Sequence, residues 1–361
     1  MPSCTNPPLP KHRTSSSGFA TTRTELSKAS WGSFMGVLSL AISVYCVSLL
    51  FRSKASFPIR NVAENRFLVT GASGFIGRAL CVRLLELGAE VHGTSRRDVD
   101  LDNDRWSHST VDLTDAAAVD AMVAEVKPDY VMHLASCVTG KREIEWIRET
   151  LEGNLQTAVN ILVAAQAASV SKTVLAGSLE EPDAADPAPI ASSPYAVSKW
   201  CASAYARTMH ALYGTRSVTA RIFMVYGPGQ QDLRKLVPYV CLSAARSEAP
   251  ELMSGRREVD WIYVDDVVNG LIRLAFDGPN NGDYVDIGSG ALTTTGAIAE
   301  KICGLAGTGV APILGAVPDR AMEQVRRADV AATQSALNWK PAVSIDDGLQ
   351  RTYEWYRDLE Q

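Results

Sequence analysis

Tyr195 and Lys199 stand four residues apart in SPYAVSKW. Residues at that spacing share one face of a helix, which would set an ammonium beside a phenol. A free phenol titrates at about 10. A neighbouring cation favours its ionised form and brings it toward use as a general acid or base near neutral pH. Ser178 closes the run KTVLAGS and can donate to a substrate oxygen from the same edge. A second constellation lies upstream, where FLVT runs straight into GASGFIG. Gly71, Gly74 and Gly77 recur there at every third position. The first suits a tight turn, the second lets the backbone approach a pyrophosphate, and the third lets helix and strand pack closely. The following helix offers unpaired N–H groups and the positive end of its dipole to phosphates. Either motif alone is commonplace. A glycine-rich turn between strand and helix, followed by Ser178, Tyr195 and Lys199, is specific for dinucleotide-dependent chemistry.

These side chains need a frame that brings distant segments to one edge. From Arg66 onward short β-branched runs alternate with helical stretches: RFLVT, FIGRALCVRLLELG, EVHGT, DAAAVDAMVAEV, DYVMHLA, NLQTAVNILVAAQAA, KTVLAGS, SPYAVSKWCASAYARTMHALYG and SVTARIF. That alternation predicts an α/β fold with a doubly wound parallel sheet and helices on both faces. Such sheets bind ligands at the carboxyl ends of their strands. The nucleotide-binding domain is placed at residues 66–227. A smaller substrate lobe follows over 228–361, partly interleaved with the sheet, with helices near 232–247, 265–277, 293–306 and 345–358.

Upstream of this, residues 1–30 are rich in Ser, Thr and Pro without an apolar period and read as a disordered tail. Residues 31–51 run without a charge, about the 20 that span a bilayer as a helix. They predict a single-pass membrane anchor, with a linker over 52–65. Basic residues flank both ends (Arg23 and Lys28, then Arg52, Lys54 and Arg60), so orientation stays open, and the chain is cytoplasmic if this segment is not translated. The whole chain of 361 residues carries 35 basic and 40 acidic side chains, a net charge of -5. No basic excess is present to neutralise a nucleic-acid backbone. Seven cysteines are scattered with no C-x-x-C pair and no clustering with the five histidines, which argues against a zinc site or a disulfide-stapled secreted domain.

Further ligand contacts are expected from the loops at the strand ends. In VDLTD, Asp112 can accept from an adenine amino group while Leu113 packs on the ring. After EVHGT, Ser95, Arg96 and Arg97 occupy the place where an NAD-selective site carries an Asp or Glu. Arg96 there suits a 2′-phosphate, because its planar fork makes bidentate charge-assisted bonds, so NADP is expected in preference to NAD. Asp98 and Asp100 follow closely and weigh against it.

From about Phe67 to the end, the chain resembles the extended short-chain dehydrogenase/reductase family in its nucleotide-sugar epimerase/dehydratase branch. The matching stretches are VTGASGFIG, VDLTD, MHLAS, EGNLQTAVNIL, Ser178, YAVSK, VYGPGQ, VDWIYVDDV, DIGSG and ALNWKP. The resemblance implies a Rossmann sheet with a small C-terminal substrate lobe, commonly dimerised through a helical bundle, so a homodimer is expected. It implies a catalytic triad of Ser178, Tyr195 and Lys199. It implies cofactor positions at Gly71, Ser73, Gly74, Phe75, Ile76, Gly77, Asp112 and Leu113 as well as Tyr195 and Lys199. Asn154 matches a family Asn assigned to structure or proton relay. The implied substrate is a nucleotide-linked sugar. Glu180 lies two residues after Ser178, where family dehydratases carry a proton-abstracting Glu.

Departures from the pattern bear on the substrate. Met224 replaces an Asn that contacts the nucleotide sugar, Val259 replaces an Arg, and EEPD follows Ser178–Leu179 where V-Y-G is usual. Arg257 and Arg320 remain as candidates to hold a diphosphate. Two other readings stay open. One is an NADPH-dependent reductase of a keto-sugar or small carbonyl compound, and the other is a cofactor-binding scaffold that has lost catalysis.

Overall fold

The computed structural model describes residues 61–182, 188–320 and 322–360. The uncharged run 31–51, with the tail before it and most of the linker after it, lies outside the described residues. Among the described residues no helix is long and apolar enough to cross a membrane.

The elements follow the alternation read from the sequence. They are β1 (Arg66–Thr70), α1 (Phe75–Glu86), β2 (Glu90–Thr94), β3 (Trp106–Ser109), α2 (Ala116–Val126) and β4 (Tyr130–His133). One continuous helical stretch follows, with α3 (Trp146–Thr150), a π-helical segment (Leu151–Gln156) and α4 (Thr157–Ala167). Then come β5 (Lys172–Ser178), α5 (Pro194–Tyr213), β6 (Ser217–Ile222) and β7 (Met224–Tyr226). The remainder holds α6 (Leu236–Ala245), β8 (Glu258–Tyr263), α7 (Val264–Asp277), β9 (Asn281–Ile287), β10 (Leu292–Thr294), α8 (Thr295–Ala306), α9 (Val330–Leu337) and α10 (Ile345–Leu359).

Seven strands form one sheet in the order β3-β2-β1-β4-β5-β6-β9. Every neighbouring pair is parallel. The order reverses between β1 and β4, and a crevice opens beyond the strand ends at such a point. Strand periodicity explains the two-sided burial. In β1, Phe67 and Val69 face one side and pack with Leu80 and Leu84 of α1 and Leu271 of α7. Leu68, between them, faces the other side with Val119 and Val123 of α2 and Ile161 of α4. The strand β9 comes from beyond residue 227 and closes this sheet, so the lobe and the main domain share a core. A second sheet of three strands, β10-β8-β7, was not foreseen. It packs Tyr226, Trp261 and Tyr263 against α6, α8 and α10 through Cys241, Ile298 and Tyr356. The helices α3 and α9 were also missed; at five and eight residues they are too short to display a hydrophobic period.

Candidate active site

The helix α5 is fixed at both ends by local chemistry. Ser193 caps its start, accepting from the Ala196 amide at 3.1 Å, and Pro194 brings a preset φ to the first turn. Gly214 stops it in the left-handed region at φ 68°. Tyr195 therefore sits in the first turn, with Lys199 one turn on. Both come to the carboxyl end of β5, where Ser178 is buried.

Lys199 is 4% exposed and donates to the carbonyl of Ala176 at 2.8 Å. Burial draws its ammonium down to about 8, and the Glu181 carboxylate opposes that shift. Tyr195 is half-buried as a residue, but burial of its hydroxyl end pushes the phenol up to about 12. The Ser178 hydroxyl facing the phenol pulls the other way, while Glu181, Glu180 and Cys137 push further up. The expectation that Lys199 brings the phenol down is thus corrected for this arrangement. Loss of water around a phenolate dominates, and the Lys199 ammonium is directed at a backbone carbonyl.

Asn154 lies in the π-helical segment, a form frequent at functional sites. Its Oδ1 accepts from Ser136 Oγ at 2.8 Å and from the Cys137 amide at 2.7 Å. Its Nδ2 donates to Ser198 Oγ at 2.9 Å, and Ser198 Oγ donates to the Tyr195 carbonyl at 2.8 Å. This chain ties the loop after β4 to the first turn of α5. His133, buried beside Lys199, is pushed down to about 3 by burial and then by that cation, so its imidazole is neutral.

The glycine turn is shaped for close approach. Gly71 adopts φ 69°, and a Cβ on Gly77 would lie 2.1 Å from the Gly71 carbonyl oxygen. The helix α1 begins at Gly74 with no side-chain cap, which leaves its first amides available to a diphosphate. Ser73, Phe75 and Ile76 complete the turn, each partly exposed. These residues fit a dinucleotide.

Around the adenosine end the two arginines separate. Arg97 donates to Gln231 Oε1 at 2.9 Å, and Gln231 Nε2 donates to the Ser73 carbonyl at 2.6 Å. Arg96 is exposed and close enough to Asp112 to lower that carboxyl slightly, behind the stronger effect of the Thr114 amide and hydroxyl. Asp98 bonds His108 Nδ1 at 3.0 Å, so it is engaged away from the arginines. Leu113 is buried beneath Asp112, in the core cluster of α2 and α4.

On the substrate side Arg257 is bracketed by carboxylates, at 2.9 Å from Glu180 Oε1 and 3.2 Å from Glu323 Oε1. Glu180 also accepts from Ser192 Oγ at 3.0 Å through its other oxygen. Arg320 is exposed, and a Cβ on Gly140 would lie 2.8 Å from its Nη1. Lys235 joins the same region: burial lowers its ammonium, Asp232 opposes this, and Arg320 and Arg234 add to the lowering. Lys235 and the buried Glu181 were not singled out from the sequence. Nothing in their spacing distinguishes them from surface charges, and only their burial does.

With this geometry in hand, the comparisons with known proteins become specific. Residues 67–288 match the model of the NAD dependent epimerase/dehydratase family, which is more than half of the chain. The chain belongs to this family. A curated relative, the dTDP-glucose 4,6-dehydratase of Neisseria gonorrhoeae, is 29% identical over 82% of this chain and 96% of its own length. The UDP-glucose 4-epimerase of Mycolicibacterium smegmatis is also 29% identical, over 82% of this chain and all of its own length. Among solved structures, the Bordetella bronchiseptica enzyme WbmF in complex with NAD+ and UDP aligns with a TM-score of 0.71. It is 29% identical over 82% of this chain and 93% of its own. The UDP-glucose 4-epimerase of Thermus thermophilus in complex with NAD aligns at 0.69 with 26% identity, over 81% and 99%. Family membership and the glycine turn agree on the cofactor class.

Proposed function

We propose that the chain is an NAD(P)-dependent enzyme that epimerises or dehydrates a nucleotide-linked sugar. The observation that carries this reading is the meeting of Ser178, Tyr195 and Lys199 at the end of β5. Relatives that are dehydratases and epimerases of nucleotide sugars support the substrate class.

The cofactor would be held by Gly71, Ser73, Gly74, Phe75, Ile76 and Gly77, with Asp112 and Leu113 at its adenine end. When bound, the dinucleotide would supply a hydride acceptor for a sugar carbon. Tyr195 moves the proton of the hydroxyl on that same carbon. A phenol held at about 12 is protonated at neutral pH, so in this arrangement it is populated as the acid form but is a weak acid and a poorly populated base. To act first as a base, it must be brought down in the loaded site. Ser178 holds the same oxygen, while Lys199, one helical turn on, is anchored to the Ala176 carbonyl. Arg96 supports a preference for NADP over NAD, since it is exposed at the end of β2 while Arg97 and Asp98 are engaged elsewhere.

Glu180 is proposed as the base that removes the proton beside the keto group in a dehydration. Each of its oxygens accepts one hydrogen bond, from Arg257 and from Ser192, which leaves a lone pair on each but weakens the carboxylate as a base. That engagement, with Met224 and Val259 in place of polar family residues, is what favours the reductase alternative. A diphosphate that draws Arg257 would release the Glu180 oxygen it holds. The test is a thermal-shift screen of UDP- and dTDP-hexoses, followed by turnover in deuterated water. Stabilisation by a nucleotide sugar with deuterium entering beside the oxidised carbon supports Glu180. A ligand that is turned over without exchange removes Glu180 from the chemistry and leaves epimerisation by hydride return, or reduction where NAD(P)H is consumed stoichiometrically; no response to any nucleotide sugar refutes the substrate class.

A homodimer is proposed from the largely exposed Ile147, Leu151, Val197, Tyr205 and Leu212 along the α3–α5 surface; sedimentation velocity decides it. The membrane anchor over residues 31–51 is proposed on hydropathy alone. Full-length protein remaining in the supernatant at high salt would refute it.

A further inference from the structure

Behind the catalytic edge lies a carboxylate that the mechanism above does not use. Glu181 is 4% exposed. Its Oε1 accepts from the Ser178 amide and its Oε2 from Ser203 Oγ, each at 2.8 Å. The same Ser203 hydroxyl lies 3.2 Å from the carbonyl oxygen of Lys199. The backbone around Glu181 is clasped as well: its amide donates to the Ser178 carbonyl at 3.1 Å, and Arg326 donates to its carbonyl at 2.8 Å. The strand makes room for the carboxylate, because a Cβ on Gly177 would lie 2.6 Å from Oε1.

A buried carboxylate is costly unless hydrogen bonds and an opposite charge compensate it. Two hydrogen bonds are present, and Lys199 is the cation it faces. Seen from Lys199, the surrounding groups are Glu181 from the turn after β5, the Ala176 carbonyl of β5, and His133 of β4, which is neutral. Seen from Tyr195, they are Ser178, Glu181, Glu180 and Cys137. Glu181 therefore faces both members of the pair.

We propose that Glu181 is a positioning residue of this site, an inference that rests on the reading of Ser178, Tyr195 and Lys199 as catalytic. Its charge holds Lys199 as an ammonium inside a buried edge, and its two hydrogen bonds fix the end of β5 against α5. The direction of its effect on Lys199, opposite to that of burial, agrees with this.

The experiment follows the Lys199 ammonium by NMR of the full chain carrying 15N-lysine, titrated between about pH 6 and 10, with Lys199→Arg to assign the signal. Glu181→Gln keeps the shape and removes the charge, and is expected to lower the Lys199 midpoint by about one pH unit or more. Ser203→Ala removes one hydrogen bond and keeps the charge, and should leave the midpoint within about 0.3 unit of wild type. Glu181→Asp restores the charge and should recover most of the shift. If Glu181→Gln does not fold, Glu181→Asp and Ser203→Ala decide together: both keep the charge, both should stay within about 0.3 unit of wild type, and a larger move in either overturns the proposal. An unmoved midpoint in folded Glu181→Gln, or one moved equally by Ser203→Ala, overturns the proposal. In parallel, the alkaline limb of the pH–rate profile with UDP-glucose should move with the NMR midpoint. Absence of turnover on UDP-glucose and its relatives would count against the catalytic reading alone, since the titration does not depend on it.

Discussion

Replacing Asp260 by Asn should unfold the substrate lobe at markedly lower temperature. Asp260 closes no part of the active site, yet it is 0% exposed and its carboxylate is fully engaged by donors. Its Oδ1 takes the Ser289 amide and the Ser289 hydroxyl, each at 2.7 Å. Its Oδ2 takes the Gly290 amide at 2.9 Å and the Ala328 amide at 3.0 Å. All of these partners are donors, and an amide side chain brings one acceptor oxygen and two donor hydrogens. Whichever way the substituted amide turns, its NH2 faces at least one backbone N–H. One to two charge-assisted bonds are lost, at about 1.5–3 kcal/mol each, so the expected loss is about 1.5–6 kcal/mol. At roughly 2 °C per kcal/mol for a domain of this size, the Tm should fall by about 3–12 °C. Thermal unfolding followed by circular dichroism measures this, with Asp260→Ala expected to lose at least as much. A Tm within about 2 °C of wild type would refute the reasoning, because it would mean that these bonds carry little net energy. The three segments they join are β8, the turn after β9 and the approach to α9. The same segments position Arg257 and the loop of Arg320, so the variant should also weaken nucleotide-sugar binding.

Tyr195→Phe should reduce turnover by at least about two orders of magnitude, the range for losing a general acid/base, with cofactor affinity little changed; near-wild-type rates would remove Tyr195 from the chemistry. Wild type should bind NADP at least about tenfold more tightly than NAD, a difference of about 1.4 kcal/mol, and Arg96→Ala should abolish the preference. Equilibrium dissociation constants for both dinucleotides check this, and equal wild-type affinities would overturn it. Burial, then the neighbouring Asp266, raises Asp265 to about 7 in the folded state, against opposing charge from Arg351. A carboxyl raised on folding binds its proton more tightly in the native state, so stability falls as pH rises from about 4 to about 7 and stays reduced above. Asp265→Asn should flatten that slope and gain on the order of 1–3 kcal/mol at pH 8; parallel Tm-against-pH curves for the two proteins would contradict the assignment.

What the sequence by itself determined is local. The turn Gly71–Gly77 is contiguous, and steric demands between near neighbours specify it. The parallel sheet followed from the order in which short β-branched runs and helical stretches alternate. The charge states and partners of the site did not. Tyr195 and Lys199 were correctly set on one helix face, but the phenol rises instead of falling, because burial is a property of the surrounding fold. Arg257 reaches Glu180 and Glu323, Arg97 reaches Gln231, and Asp98 turns to His108. Each of these pairs is assembled by chain crossings that no spacing encodes. Glu180 and Glu181 are adjacent identical letters, yet one lies half-buried against Arg257 and the other is sealed beneath Ser178. Only the tertiary structure separates them, because a one-residue step at the end of β5 turns the next side chain from the cleft into the core.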